Sequence, residues 1–109
     1  MAETLKVLGQ VDPSATTLTA AYTVPALTST VVSAIQVANR SATPTSYRVS
    51  VAVGGAADST KQYIAYDKAI GANATDTLKL GISLGAGDVV RVYATLATLS
   101  FNIFGVENT

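Results

Sequence analysis

The chain has 109 residues, seven basic and seven acidic, with no His and no Cys. That length allows one domain, and the balanced charges, spread from Glu3 to Glu107 without runs, form no basic stripe that would release counterions from DNA or RNA. The missing Cys excludes disulfides, thiol nucleophiles and Cys-ligated zinc or iron–sulfur clusters, and the missing His removes the commonest general base and metal ligand.

The start, Met1-Ala2-Glu3-Thr4-Leu5-Lys6, lacks the charged and then apolar pattern of a secretory signal, and no run approaches ~18 apolar residues. A soluble product made in the cytoplasm, with no membrane partner, is therefore expected. Leu5–Val11 and Leu18–Val24 are the first strand candidates, separated by the turn chemistry of Asp12-Pro13-Ser14. Pro25 closes the second, because it cannot donate to a ladder and marks a strand end or an edge. Val31, Ile35 and Val37 predict a third strand. After Thr43-Pro44-Thr45, alternation is clearest in Thr45–Val53, where Tyr47, Val49, Val51 and Val53 alternate with Ser46, Arg48, Ser50 and Ala52. Gly54-Gly55 ends that strand, and Gln62–Lys68 is the next candidate. Gly71-Ala72-Asn73 leads into Thr75–Ser83, with Leu78, Leu80 and Ile82 on one face. Gly85-Ala86-Gly87-Asp88 then separates it from Val89–Leu96, and Leu99, Phe101 and Ile103 mark the last strand. No segment holds a capped helical period. The pattern predicts an all-β chain: one antiparallel β-sandwich domain over 1–109, jelly-roll-like, with about eight short strands. Residues 1–4 and 106–109 are expected to be extended arms.

Ala and Val dominate the apolar set, with two Phe and no Trp, so the core is thin and two-layered. The outward faces are rich in Ser, Thr and Ala, and only 13% of residues are charged. Short or β-branched side chains lose little rotamer entropy on docking, which suits a surface that packs against neighbours; Thr is equally at home on an exposed strand.

Catalytic candidates are thin. Asp58, Asp67, Asp76 and Asp88 sit in or beside predicted turns and no two share a motif. Asp76 and Asp88 are expected to satisfy turn amides. Neither glycine-rich stretch leads into a helix or ends in the Lys-Ser/Thr of a phosphate loop, and no calcium-loop spacing is present. No catalytic residue, metal or cofactor is assigned. Asn39-Arg40-Ser41 and Asn73-Ala74-Thr75 match the short glycosylation pattern, which is common by chance. Of the tyrosines, Tyr47 and Tyr93 fall within the alternation and are expected in or beside the core. Tyr63 and Tyr66, three apart, are expected on opposite faces of one strand, with at least one exposed or in an interface. The interface candidates are Glu3, Lys6, Arg40, Asp58, Lys61, Tyr63, Tyr66, Lys68 and Glu107.

The chain resembles small structural proteins of tailed bacteriophages over nearly its whole length. The resemblance rests on Lys6-Val7-Leu8-Gly9-Gln10, Tyr22-Thr23-Val24-Pro25-Ala26, and Val37-Ala38-Asn39-Arg40-Ser41 leading into Tyr47-Arg48-Val49. It continues through Tyr63-Ile64-Ala65-Tyr66-Asp67, Gly71-Ala72-Asn73 with Thr77, Gly87-Asp88-Val89-Val90 and Val92-Tyr93-Ala94. It ends in Leu99-Ser100-Phe101-Asn102-Ile103-Phe104-Gly105-Val106-Glu107. It implies a non-enzymatic virion building block present in many copies. A capsid decoration or cement protein is favoured, because the chain has no fibre repeat or coiled coil. Its expected partners are the major capsid protein, other virion proteins and copies of itself, a trimer being favoured. A tail, baseplate or fibre component, or a receptor- or carbohydrate-binding module with Tyr63 or Tyr66 beside Asn73 or Asp67 on a concave face, remain open. An enzyme comes third and would need two carboxylates within roughly 10 Å in a cleft.

Overall fold

A computed structural model describes residues 2–109. Eight strands run in chain order: β1 (Glu3–Val11), β2 (Thr19–Thr23), β3 (Ser29–Asn39), β4 (Thr45–Ala52), β5 (Tyr63–Ile70), β6 (Thr75–Leu84), β7 (Val89–Ala94) and β8 (Leu99–Asn108). They form two antiparallel sheets, the first ordered β1-β8-β3-β6 and the second β2-β7-β4-β5. Only β4 and β5 are consecutive strands paired within one sheet; every other connection crosses between sheets, which is jelly-roll connectivity. The two short 3₁₀ turns, Val53–Gly55 and Thr60–Gln62, both lie in the β4–β5 connection.

The alternation read from the sequence decides what lies between the sheets. Tyr47 and Val49 of β4, Val90 and Val92 of β7, and Phe101 and Ile103 of β8 are fully buried. Complete burial of such a side chain is worth ~1.5–3 kcal/mol, so this shared layer is what joins the sheets. Tyr47 meets Phe101 edge-on, ring centroids 5.9 Å apart.

Two tyrosines of the second sheet also reach polar groups of the first. The Tyr47 hydroxyl donates to Asp76 on β6 at 3.0 Å. The Tyr22 hydroxyl donates to Glu107 at 2.6 Å and lies 2.8 Å from the Thr30 hydroxyl. Burial first, and the Glu107 hydrogen bond second, push the Tyr22 pKa up to about 12. Asp76 is thus not the turn-amide acceptor expected of it; it accepts the Tyr47 hydroxyl hydrogen bond and makes a Lys68 ion pair at 3.5 Å. Asp88 does hold a turn, accepting from the Gly54 and Gly85 amides.

Bulges alter the alternation where it fails. Between Val32 and Ala34 the register with β8 shifts by one, and Ser33 is the extra residue. Val32 therefore points inward with Ile35 and Val37, and Val31 is 40% exposed. The expectation that Val31 shares their face is corrected by that bulge. At the same level Leu8 is extra on β1 and the β3–β6 register shifts beside Gly81, so irregularities cross the whole first sheet. They centre on Gly105, where a Cβ would lie within 3.0 Å of Leu8 and Val32 and closer still to the Val31 carbonyl oxygen.

The chain ends are strands, not arms. Residues 3–7 of β1 and the C-terminal half of β8 pair along their length, and Ala2 and Thr109 exchange both backbone hydrogen bonds. Met1, part of the expected N-terminal arm, lies outside the described residues. At the other end of the sandwich, buried Asn39 donates to the Thr43 and Gly71 carbonyls and accepts from the Ser41 amide and the Thr98 hydroxyl. Its full hydrogen-bonding capacity ties three loops together.

Candidate interaction faces

Each sheet turns one face to the core and one outward, and the two outward faces differ in chemistry. On the second sheet, β4 presents Arg48 between the hydrogen-bonded neighbours β5 and β7. The guanidinium carbon lies 4.2 Å from the Tyr66 ring centroid and 4.5 Å from that of Tyr93. Its Nε donates to Asp67 at 2.7 Å. That hydrogen bond is the main reason the guanidinium binds its proton even more firmly than usual.

The sequence placed Tyr63 and Tyr66 on opposite faces, and the structure corrects this. The β4–β5 register slips by one residue between Ala65 and Tyr63, and again where Tyr66 and Asp67 oppose Arg48. Asp67 takes a left-handed backbone, φ 50°. The first slip reverses the parity, so Tyr63 and Tyr66 stand side by side with ring centroids 5.1 Å apart and planes at 86°. Tyr66 is 57% exposed. Burial, and then the adjacent Asp58 carboxylate, raise the Tyr63 pKa. Tyr93 stands on this outer face against Arg48, half-buried and not in the core. Arg91 of β7 folds over the β4–β5 connection, donating to the Gly55 and Ala56 carbonyls. Ser50, paired with both Arg91 and Tyr63, is completely buried and its hydroxyl has no partner among the described residues.

The outer face of the first sheet is nearly free of charge. Leu5, Val106 and Val31 lie abreast on β1, β8 and β3, and Val7 and Phe104 form the next row. Leu5 is 80% exposed and Val7 46%. Further along, Gln10 donates to Asn102 at 2.8 Å. Among the described residues, the ionisable groups in outward register on this face are Glu3 on edge strand β1 and Lys79 on edge strand β6.

The interface candidates from sequence therefore separate. Tyr63 and Tyr66 belong to the second-sheet face, with Asp58 and Lys61 in the connection that leads into β5, and Lys68 is at its margin, paired with Asp76. Lys6 and Glu107 pair with each other at 3.2 Å. The Tyr22 hydrogen bond, helped by Lys6 and opposed by burial, lowers the Glu107 pKa. These two are engaged within the fold, whereas Glu3 is exposed. Arg40 is at the far end, its backbone amide bonded to Thr98 and its guanidinium to the Ala97 carbonyl. Sequence reasoning did not select Arg48, Asp67 and Tyr93 as partners, nor Leu5, Val31 and Phe104 as a patch. Tyr93 and Arg48 have the same parity as exposed positions, which was a usable clue; the bulges that complete both faces left none.

Among the described residues, one recess of about 270 Å³ lies beside Asp12 and Asn102 and another of about 400 Å³ beside Val53 and Lys61. The residues lining each include one ionisable side chain, so neither brings two carboxylates together. No protein-family model matches the chain, and no curated protein matches it.

Proposed function

We propose that this chain is a non-enzymatic structural subunit of a tailed-bacteriophage virion, a capsid decoration protein that grips the major shell protein with the outer face of its second sheet. The observation that carries the reading is Tyr66, more than half exposed, beside an Arg48 already fixed between two rings and a carboxylate. Tyr and Arg are enriched among interface hot spots, and an anchor that is immobile before docking loses little further entropy. Support for the virion setting comes from the sequence resemblance and from a surface built of short, weakly charged side chains.

A glycan-binding reading has less support, because Asp67 is committed to Arg48. The test is binding of purified protein to expanded capsids lacking it, with stoichiometry counted by gel densitometry. Saturation at a fixed ratio to the shell protein, weakened at least ~10-fold by Tyr66→Ala, is expected; tenfold corresponds to the loss of a modest hot spot. Binding to purified tails in place of capsids would move the protein to the tail, and saturable binding to neither would refute the virion role.

A further inference from the structure

We propose that the sparsely charged outer face of the first sheet is the docking surface for a second copy of this chain, packed face to face about a two-fold axis. The inference is independent of which face grips the shell, and it selects two-fold pairing over the threefold assembly expected from sequence.

The patch is continuous and central. Leu5, Val106 and Val31 are cross-strand neighbours on three adjacent strands, with Val7 and Phe104 in the next row. Bulges expose it: with a regular β3 register Val31 would follow the parity of Ile35 into the core. Small monomeric proteins seldom leave such a contiguous apolar row open to water.

Three observations select a second copy as the occupant. The first is charge. A two-fold contact sets a surface against itself, so like charges would repel; here the outward ionisable groups are one acid and one base, on opposite edge strands. A two-fold axis along the strands lays the edge carrying Glu3 over the partner's edge carrying Lys79. The second is size. Four strands about 4.8 Å apart and roughly 30 Å long give on the order of 600 Å² per copy, or about 1,200 Å² in total, the lower bound for a specific interface. A reversible dimer is therefore expected. The third is shape: sheets stack face to face about 10 Å apart, so a second sheet repeats the packing already used inside the sandwich.

The experiment is sedimentation velocity on the whole chain from low to high micromolar concentration, with Leu5→Asp, Val31→Asp and Tyr66→Ala variants. The wild type and Tyr66→Ala are expected to pass from monomer to dimer, and the two Asp variants to dimerise at least ~10-fold more weakly, because each would bury an unpaired carboxylate. Circular dichroism and melting at dilute concentration separate lost pairing from lost folding. The chain has no Cys, so Val31→Cys supplies a single thiol near the patch centre. It is expected to be joined into a covalent dimer by a short bismaleimide cross-linker, whereas Tyr66→Cys stays largely monomeric.

A wild type that is monomeric throughout, a trimer, or a dimer untouched by the Asp substitutions would overturn the proposal. Capsid binding reads the other face: its loss in Tyr66→Ala with dimerisation intact keeps the two ideas apart, and a dimer with no capsid affinity would remove the decoration role alone.

Discussion

The two outward faces are made by the same fold and do different things with it. On the second sheet, a bulged edge strand brings Tyr63, Tyr66 and Asp67 around Arg48, and the chemistry of the face resides in side chains locked to one another. On the first, irregular residues on β1, β3 and β6 bend the sheet around Gly105, and the face carries a short apolar patch flanked on one side by a polar row of Gln10, Asn102, Gln36 and Thr77. Locked aromatic and guanidinium groups favour a chosen partner, whereas an apolar row favours whatever presents a similar row, above all another copy.

The largest expected effect breaks the backbone side of this comparison. Gly105→Ala would push a methyl into the Val31 carbonyl, the Leu8 side chain and Val32 Cα, two of them on the facing backbone. A loss of about 3 kcal/mol or more, or failure to fold, is expected in urea titration. Gly81→Ala at the same level meets nothing within 4 Å and should change stability by less than about 1 kcal/mol. If both substitutions were equally mild, the bend would not depend on close approach at Gly105.

The next effect concerns the tyrosines that join the sheets. Burial raises the Tyr22 pKa from 10.0 to about 12. A raised pKa means its contribution is fully present below the unfolded value and is lost as pH climbs through the folded one. Stability should therefore fall between pH 10.0 and about 12, by on the order of 2 kcal/mol for this group. Tyr47, also raised by burial and then by Asp76, adds to the same limb. Urea midpoints measured across that range should fall less steeply for Tyr22→Phe than for the wild type; equal slopes would remove Tyr22 as a cause.

How much of this was legible in the sequence follows from what period-two alternation encodes. It located all eight strands and the inward set Tyr47, Val49, Phe101 and Ile103, because burial on one face is what the pattern records. It could not place Val31, Tyr63 or Tyr66, since one inserted residue reverses every later position and a bulge needs no distinctive residue type. Ser33 and Ile64 are ordinary strand residues. Nor could it foresee that Lys6 and Glu107, about as far apart in sequence as the chain allows, would pair with each other; cross-strand partnership follows sheet order, which hydrophobic pattern does not contain. The expected arms failed for the same reason, because β1 is the edge strand next to β8.

A smaller effect tests the locked side of the comparison. Arg48→Ala removes a guanidinium that lies on two rings and pairs with a half-exposed carboxylate. Pairs this accessible are worth little, so only a small stability loss is expected. Capsid binding should suffer more than stability does, because Tyr66 would lose the support that holds its ring. A variant that binds capsids normally would show that the exposed ring is sufficient without its cation.

The smallest expected effect is the most informative about the apolar face. Leu5 is 80% exposed, so Leu5→Thr removes little buried area and substitutes another residue at ease in a strand. In dilute solution the melting temperature should barely move, the change in stability staying within about 0.5 kcal/mol. At high concentration the two proteins should diverge. Any species that binds only folded chains raises apparent stability by mass action, so a self-associating wild type melts higher as its concentration rises. Leu5→Thr should show a flatter dependence, because the row it interrupts is the one held to pair. Parallel dependences in both proteins would mean that Leu5 stays in water whether or not the chain associates.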